Sequence, residues 1–134
     1  MNRTAALLAL AAVLGAVAVA LGAWAAHGLE AAYGARAVSL VETAVRYQLW
    51  HALAIMAALG LHRIAGRQVA ALVRAAQLFA LGMILFCGAL YILAFGGPRW
   101  LGAVAPIGGL GMITGWLMLA WGAVKAFKDP QSRG

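Results

Sequence analysis

"ETAVRYQLWHALAIM", residues 42–56, decides how this chain is read. Glu42, Thr43, Arg46, Tyr47, Gln48 and His51 crowd its first part, and the remainder is wholly apolar. The charge-free run that it opens, Tyr47–His62, would reach only ~24 Å as a helix, against a hydrocarbon core of ~30 Å. To cross a bilayer the segment must recruit the turn before it, which carries Thr43 and Arg46. The stretch therefore reads as the outer end of a short membrane helix.

The rest of the chain supports that reading. Of 134 residues, 66% are hydrophobic and 10% charged, so water is the wrong solvent for it. Three further charge-free runs, Thr4–Leu29, Ala75–Pro98 and Trp100–Val124, are each long enough to span. They are continuous and rich in Ala, Leu and Gly, without the alternation that a membrane β-barrel needs. The expected fold is all-α: one integral-membrane domain, a four-helix transmembrane bundle with spans at about 5–26, 43–62, 75–96 and 104–125.

Charge placement sets the expected orientation. Arg3, Arg63, Arg67, Arg74, Lys125, Lys128 and Arg133 fall on one side, against Arg36, Arg46 and Arg99 on the other. Both termini and the middle loop, "HRIAGRQVAALVR", are thus expected in the cytoplasm. The net charge of +7 does not indicate nucleic acid, because the basic groups sit between apolar runs instead of gathering on a solvated face. The first segment could also be a cleaved signal peptide, with Ala23-Trp24-Ala25 as its processing site. Its apolar run is much longer than the usual 7–15 residues, which favours a retained span.

The first outward connection, "GLEAAYGARAVSLVE", repeats Leu29, Tyr33, Ala37, Leu40 and Val41 near helical spacing, so a short interfacial helix is expected there. In the fourth segment, Pro106 suits the first position of a helix. Gly111-x-x-x-Gly115, with Gly108, then offers a close-packing face.

Candidate functional residues concentrate in the opening stretch. At about 100° per residue, Glu42, Arg46 and Trp50 share one helix face, and Tyr47, His51, Ala54, Ala58 and His62 share another. The first face reads as a boundary device; the second points into the bundle. On the first helix, Ala16, Ala20 and Ala23 form a small-residue stripe leading to His27, and if the two stripes meet, His27 and His51 approach one another. Two histidines inside a membrane can ligate a metal or haem. Cys87, alone of its kind, allows no intrachain disulfide and reads as a small buried hydrophobe. No span contains a carboxylate, and no Ser-His-Asp set or phosphate loop occurs.

Four pieces in order, "LGAWAAHGL" (21–29), "ETAVRYQLWHALAIM" (42–56), "LFCGALYILAF" (85–95) and "LGAVAPIGGLGMITGW" (101–116), resemble the domain of unknown function 423 family. These are small four-pass inner-membrane proteins of bacteria, with eukaryotic relatives. The resemblance implies that the first segment is retained, and that His27, Glu42, Arg46, Tyr47, Gln48 and His51 belong to a family motif. It implies no reaction. The chain departs from the family pattern at Trp24-Ala25, at Cys87 and Ala89, where Ser is usual, and at Ala105, where Thr would cap the fourth helix.

The expectation is a non-enzymatic accessory, assembly or oligomerising subunit of the bacterial inner membrane. Its partners would be the lipid bilayer and a second copy or larger membrane complex, with no cofactor. The alternative is a protein that binds a metal, haem, quinone or small solute near His27, Tyr47 and His51.

Overall fold

The structure, a computed structural model, describes residues 2–65 and 69–128. Arg67 and Arg133, two of the basic residues assigned to the cytoplasmic side, lie outside the described residues. Five helices follow in order: α1 (Arg3–His27), α2 (Leu29–Tyr33), α3 (Ala35–Ile64), α4 (Ala70–Ala94) and α5 (Leu101–Phe127). Among the described residues, three helices are long and apolar enough to cross a membrane: α1, α4 and α5. The longest helix, α3, is not one of them, because Glu42, Arg46, Gln48, His51, His62 and Arg63 interrupt its apolar sequence.

Helix ends follow from local chemistry. The Asn2 side chain accepts the Ala5 N–H at 2.8 Å and caps α1. The first outward connection is almost entirely helical, broken at Gly28, between α1 and α2, and where Gly34 takes φ +80°, ψ 167°. That conformation strongly favours glycine, so one short helix, α2, becomes separate while the remainder of the connection joins α3. Leu29, Ala37 and Val41 are buried there against Ala25.

Two expectations for the last helix are corrected. Helix α5 begins at Leu101, not Pro106, which lies inside it. Its first turn is wound by tight bonds from Leu101, Gly102 and Ala103 N–H to the carbonyls of Pro98, Arg99 and Trp100. Pro106 then removes only the bond to Gly102, a small residue near the helix end. Ala105 is accordingly not a capping position; it is buried beside Ala89 and Leu101.

The long helices run alternately up and down and pack mainly in chain order: α1 on α3, α3 on α4, α4 on α5. The seams carry a seven-residue repeat. Ala11, Ala18 and Ala25 are the buried residues of α1; α3 buries Ala37, Ala44, His51 and Ala58, and α5 buries Gly108, Gly115 and Gly122. A repeat of seven keeps one narrow stripe facing a left-handed neighbour. The Ala16, Ala20 and Ala23 stripe expected to meet α3 is instead exposed, on nearly the opposite side of α1 from the true seam.

Between α4 and α5 the backbones approach closely. A Cβ on Gly82 would lie 2.7 Å from the Gly108 carbonyl oxygen, and one on Gly108 would lie 2.6 Å from that of Gly82. At Gly115 it would meet the Phe79 ring at 2.7 Å, and at Gly122 the Leu72 side chain at 2.7 Å. At Gly111 the nearest atom would be 3.4 Å away, an ordinary contact. Without side chains at these points the facing helix can bury Phe79 and Leu72, both fully enclosed.

Candidate functional site

Helix α3 lies between α1 and α4, so the positions on its seam look into the protein from both sides. Among the described residues, the buried polar side chains are Gln48 and His51, 2% and 6% exposed. They stand three residues apart, on one face of α3. Together they reach every other long helix.

Gln48 uses both ends of its amide. Nε2 donates to the Leu14 carbonyl on α1 at 2.6 Å, and Oε1 accepts the Tyr91 hydroxyl of α4 at 2.8 Å. One turn toward the start of α3, the Cys87 thiol of α4 donates to the Ala44 carbonyl at 3.3 Å. The Leu14 carbonyl already serves its own helix, so the bond adds a second donor to one oxygen and costs no helical bond. Interhelical bonds of this kind contribute about 0.6 kcal/mol on average in a membrane, with a ceiling of ~1.7.

His51 is fixed at both ring nitrogens. The Trp116 indole N–H of α5 donates to Nε2 across 3.2 Å. Indole is a donor only, so Nε2 is the acceptor and the ring proton sits on Nδ1. From there it is donated to the Tyr47 carbonyl at 2.7 Å. Aromatic rings wall the imidazole: Tyr47 stacks on it at 6.0 Å and 11°, Phe79 stands 5.5 Å away and Trp116 6.1 Å. Phe86 backs Tyr47 at 4.8 Å. A metal ion could take Nε2 only by displacing the indole.

His27 is not part of this cluster. It is exposed at the end of α1, in an open depression shared with Ala25, Ala26, Gly28, Glu30 and Ala31. Leu14 is level with Gln48, and from Leu14 to His27 the helix rises about 20 Å. His51 lies a further turn away, so the two histidines do not meet. Among the described residues no group of three or more His, Cys, Asp or Glu side chains is assembled as a metal site requires.

The two faces of the opening stretch separate as expected for Glu42, Arg46 and Trp50, all exposed. Tyr47 is intermediate in character: its ring covers His51 while 42% of the residue remains exposed. The partners that complete the cluster, Trp116, Tyr91, Cys87 and the Leu14 carbonyl, were not legible as a set. They come from three separate helices, α1, α4 and α5, and a backbone carbonyl has no sequence signature at all.

Residues 21–109 match the family model for a protein of unknown function, DUF423. The chain is 39% identical to a UPF0382 membrane protein of Haemophilus influenzae over 119 residues, covering 89% of this chain and 94% of the relative. It is 45% identical over 101 residues to the UPF0382 membrane protein SH2409 of Staphylococcus haemolyticus, covering 75% and 80%. With the UPF0382 inner membrane protein YgdD of Escherichia coli strain K12 it shares 38% identity over 120 residues, 89% of each. No solved structure matches it. With its helical fold, its three long apolar helices and likeness along most of its length, the chain belongs to the DUF423 (UPF0382) family of membrane proteins.

Proposed function

We propose that this is a four-pass protein of the inner membrane, with both termini in the cytoplasm, acting as a non-enzymatic accessory or assembly subunit. The observation that carries the reading is the commitment of Gln48 and His51. Both ends of the Gln48 amide and both ring nitrogens of His51 have partners, and these bonds join α1, α3, α4 and α5, so that the buried polar groups hold helices together. A reaction centre would present at least one such group to a substrate.

The fourth span is α3. Buried on two sides by α1 and α4, it meets lipid over a smaller part of its circumference, so its polar residues are tolerated where an isolated helix would not carry them. The count of Lys and Arg supports the cytoplasmic termini. Reporter fusions at residue 134 and within the loop around Gly97 test that orientation: the first is expected to be active only as a cytoplasmic reporter, the second only as an external one.

The test of function is gentle affinity purification in a mild, lipid-like detergent, with mass, absorbance and metal content read from one sample. The expected result is a particle larger than the monomer, without visible absorbance or stoichiometric metal. A monomer with no co-purifying protein overturns the accessory reading. A bound metal, haem or quinone lost on His51→Ala establishes the rival, a ligand site around Tyr47 and His51.

A further inference from the structure

Helix α3 has a third side. Ser39, Glu42, Arg46, Leu49, Leu53 and Ala57 recur at spacings of three and four, and all are exposed. This face is polar at its outer end and apolar with small residues at its inner end; at Gly60, one turn beyond Ala57, even an added Cβ would meet nothing within 4 Å.

The depth of the charges matters. Val45 touches the position of Gly22, about 8 Å before the end of α1, and the Ala44 carbonyl meets Cys87, about 10 Å before the end of α4. Glu42 and Arg46 bracket that level. They stand where both neighbouring helices are wholly apolar, on a surface that lipid would otherwise cover. Opposite charges one turn apart are also self-complementary. A two-fold axis along the membrane normal places Arg46 of each copy beside Glu42 of the other, in a neutral ring of four alternating charges.

We propose that the Ser39–Ala57 face of α3 is a homodimer interface, in which a second copy of this chain, parallel in the same membrane, pairs its Glu42 and Arg46 with these. The proposal rests on the reading of α3 as a membrane span and names the partner of that subunit.

The test is disulfide cross-linking in native membranes. Ala57→Cys is introduced into a Cys87→Ala background, with Ala16→Cys on α1 and Leu117→Cys on α5 as controls. The expected result is an oxidant-dependent dimer for Ala57→Cys, at least about tenfold more abundant than for either control. Glu42→Arg or Arg46→Glu alone is expected to abolish that excess, and the double exchange to restore it. Restoration also shows that the single variants are lost from the interface and not from the fold. Equal cross-linking at all three positions, or full cross-linking in the single charge variants, overturns the interface. A shielded Ala57→Cys thiol that does not cross-link overturns the pairing alone. A thiol there that reacts with a membrane-impermeant maleimide overturns the placement of α3 in the membrane, and the pairing with it.

Discussion

Trp116 of α5 donates its indole N–H to Nε2 of His51 on α3, 3.2 Å away, although the two helices otherwise touch only slightly. Between them stands Phe79 of α4, its ring 5.1 Å from the indole and 5.5 Å from the imidazole. The bond thus reaches past an intervening helix and holds three helices at one level. It also fixes the histidine tautomer, since the acceptor nitrogen cannot carry the proton that Tyr47 receives.

Removing the indole N–H should therefore loosen the α3–α5 link without opening the remainder of the core. Trp116→Phe is expected to destabilise the protein by about 1–3 kcal/mol, because a buried imidazole nitrogen loses its donor. In a His51→Leu background the same change should cost less by roughly 1 kcal/mol, the part of the effect that belongs to the pair. Fractions surviving graded heating in detergent, measured by size-exclusion chromatography, give both values. Equal cost in the two backgrounds would show that the bond contributes nothing.

Gln48 makes a sharper case, because it serves two helices at once. Tyr91→Phe removes one hydrogen bond and is expected to cost about 0.6–1.7 kcal/mol. Gln48→Leu removes that bond and the one to Leu14, and it strands the Tyr91 hydroxyl in an apolar setting, so about 1–3 kcal/mol is expected. The same heating assay ranks them. Tyr91→Phe costing more than Gln48→Leu would mean that the tie to α1 is idle.

The sequence was informative about helices and much less so about which of their faces meet. Continuous apolar runs separated by charge announce membrane helices, and the exposed Glu42–Arg46–Trp50 face followed from helical geometry alone. The α1 seam was misplaced because Ala16, Ala20 and Ala23 are as small as Ala11, Ala18 and Ala25; in a helix this rich in alanine, size cannot distinguish the packed stripe from the free one. A seven-residue spacing shared by Ala11, Ala18 and Ala25 with Gly108, Gly115 and Gly122 was the available signal. The meeting of His51 with Trp116 instead of His27 had none, since it depends on how far α5 slides along α4. That register is set by Gly82 against Gly108, two residues with no side chain to advertise it.

The α4–α5 contact predicts opposite outcomes for Gly82 on α4 and for Gly109 on α5, the chain neighbour of the Gly108 that Gly82 meets. Gly82→Ala would drive a methyl group to 2.7 Å from the Gly108 carbonyl oxygen and 2.9 Å from the Met112 nitrogen, both backbone atoms. The helices must then separate, and a cost of about 1–3 kcal/mol is expected. Gly109→Ala meets nothing within 4 Å and should stabilise α5 by up to about 1 kcal/mol through helix propensity. Helical content after graded heating, followed by circular dichroism, separates the two. A neutral Gly82→Ala would show that the helices are not in contact at this register.

Cys87, the sole cysteine, gives a local measure of the same packing. It is 2% exposed, and its sulfur lies against the Ala44 carbonyl, one turn of α3 from Gln48. A membrane-permeant maleimide can reach it only when α3 and α4 part, so its labelling rate reports their opening, about tenfold slower for each ~1.4 kcal/mol that opening costs. Gln48→Leu frees the neighbouring Tyr91 and should accelerate labelling by about tenfold, in line with a loss of ~1.4 kcal/mol. Trp116→Phe acts a turn or more farther along the α3–α4 seam, and its effect on the same rate should be smaller. If Cys87 in the unaltered protein reacts as fast as a free thiol in lipid, the α3–α4 seam is open, and the structural role given to Gln48 fails with it.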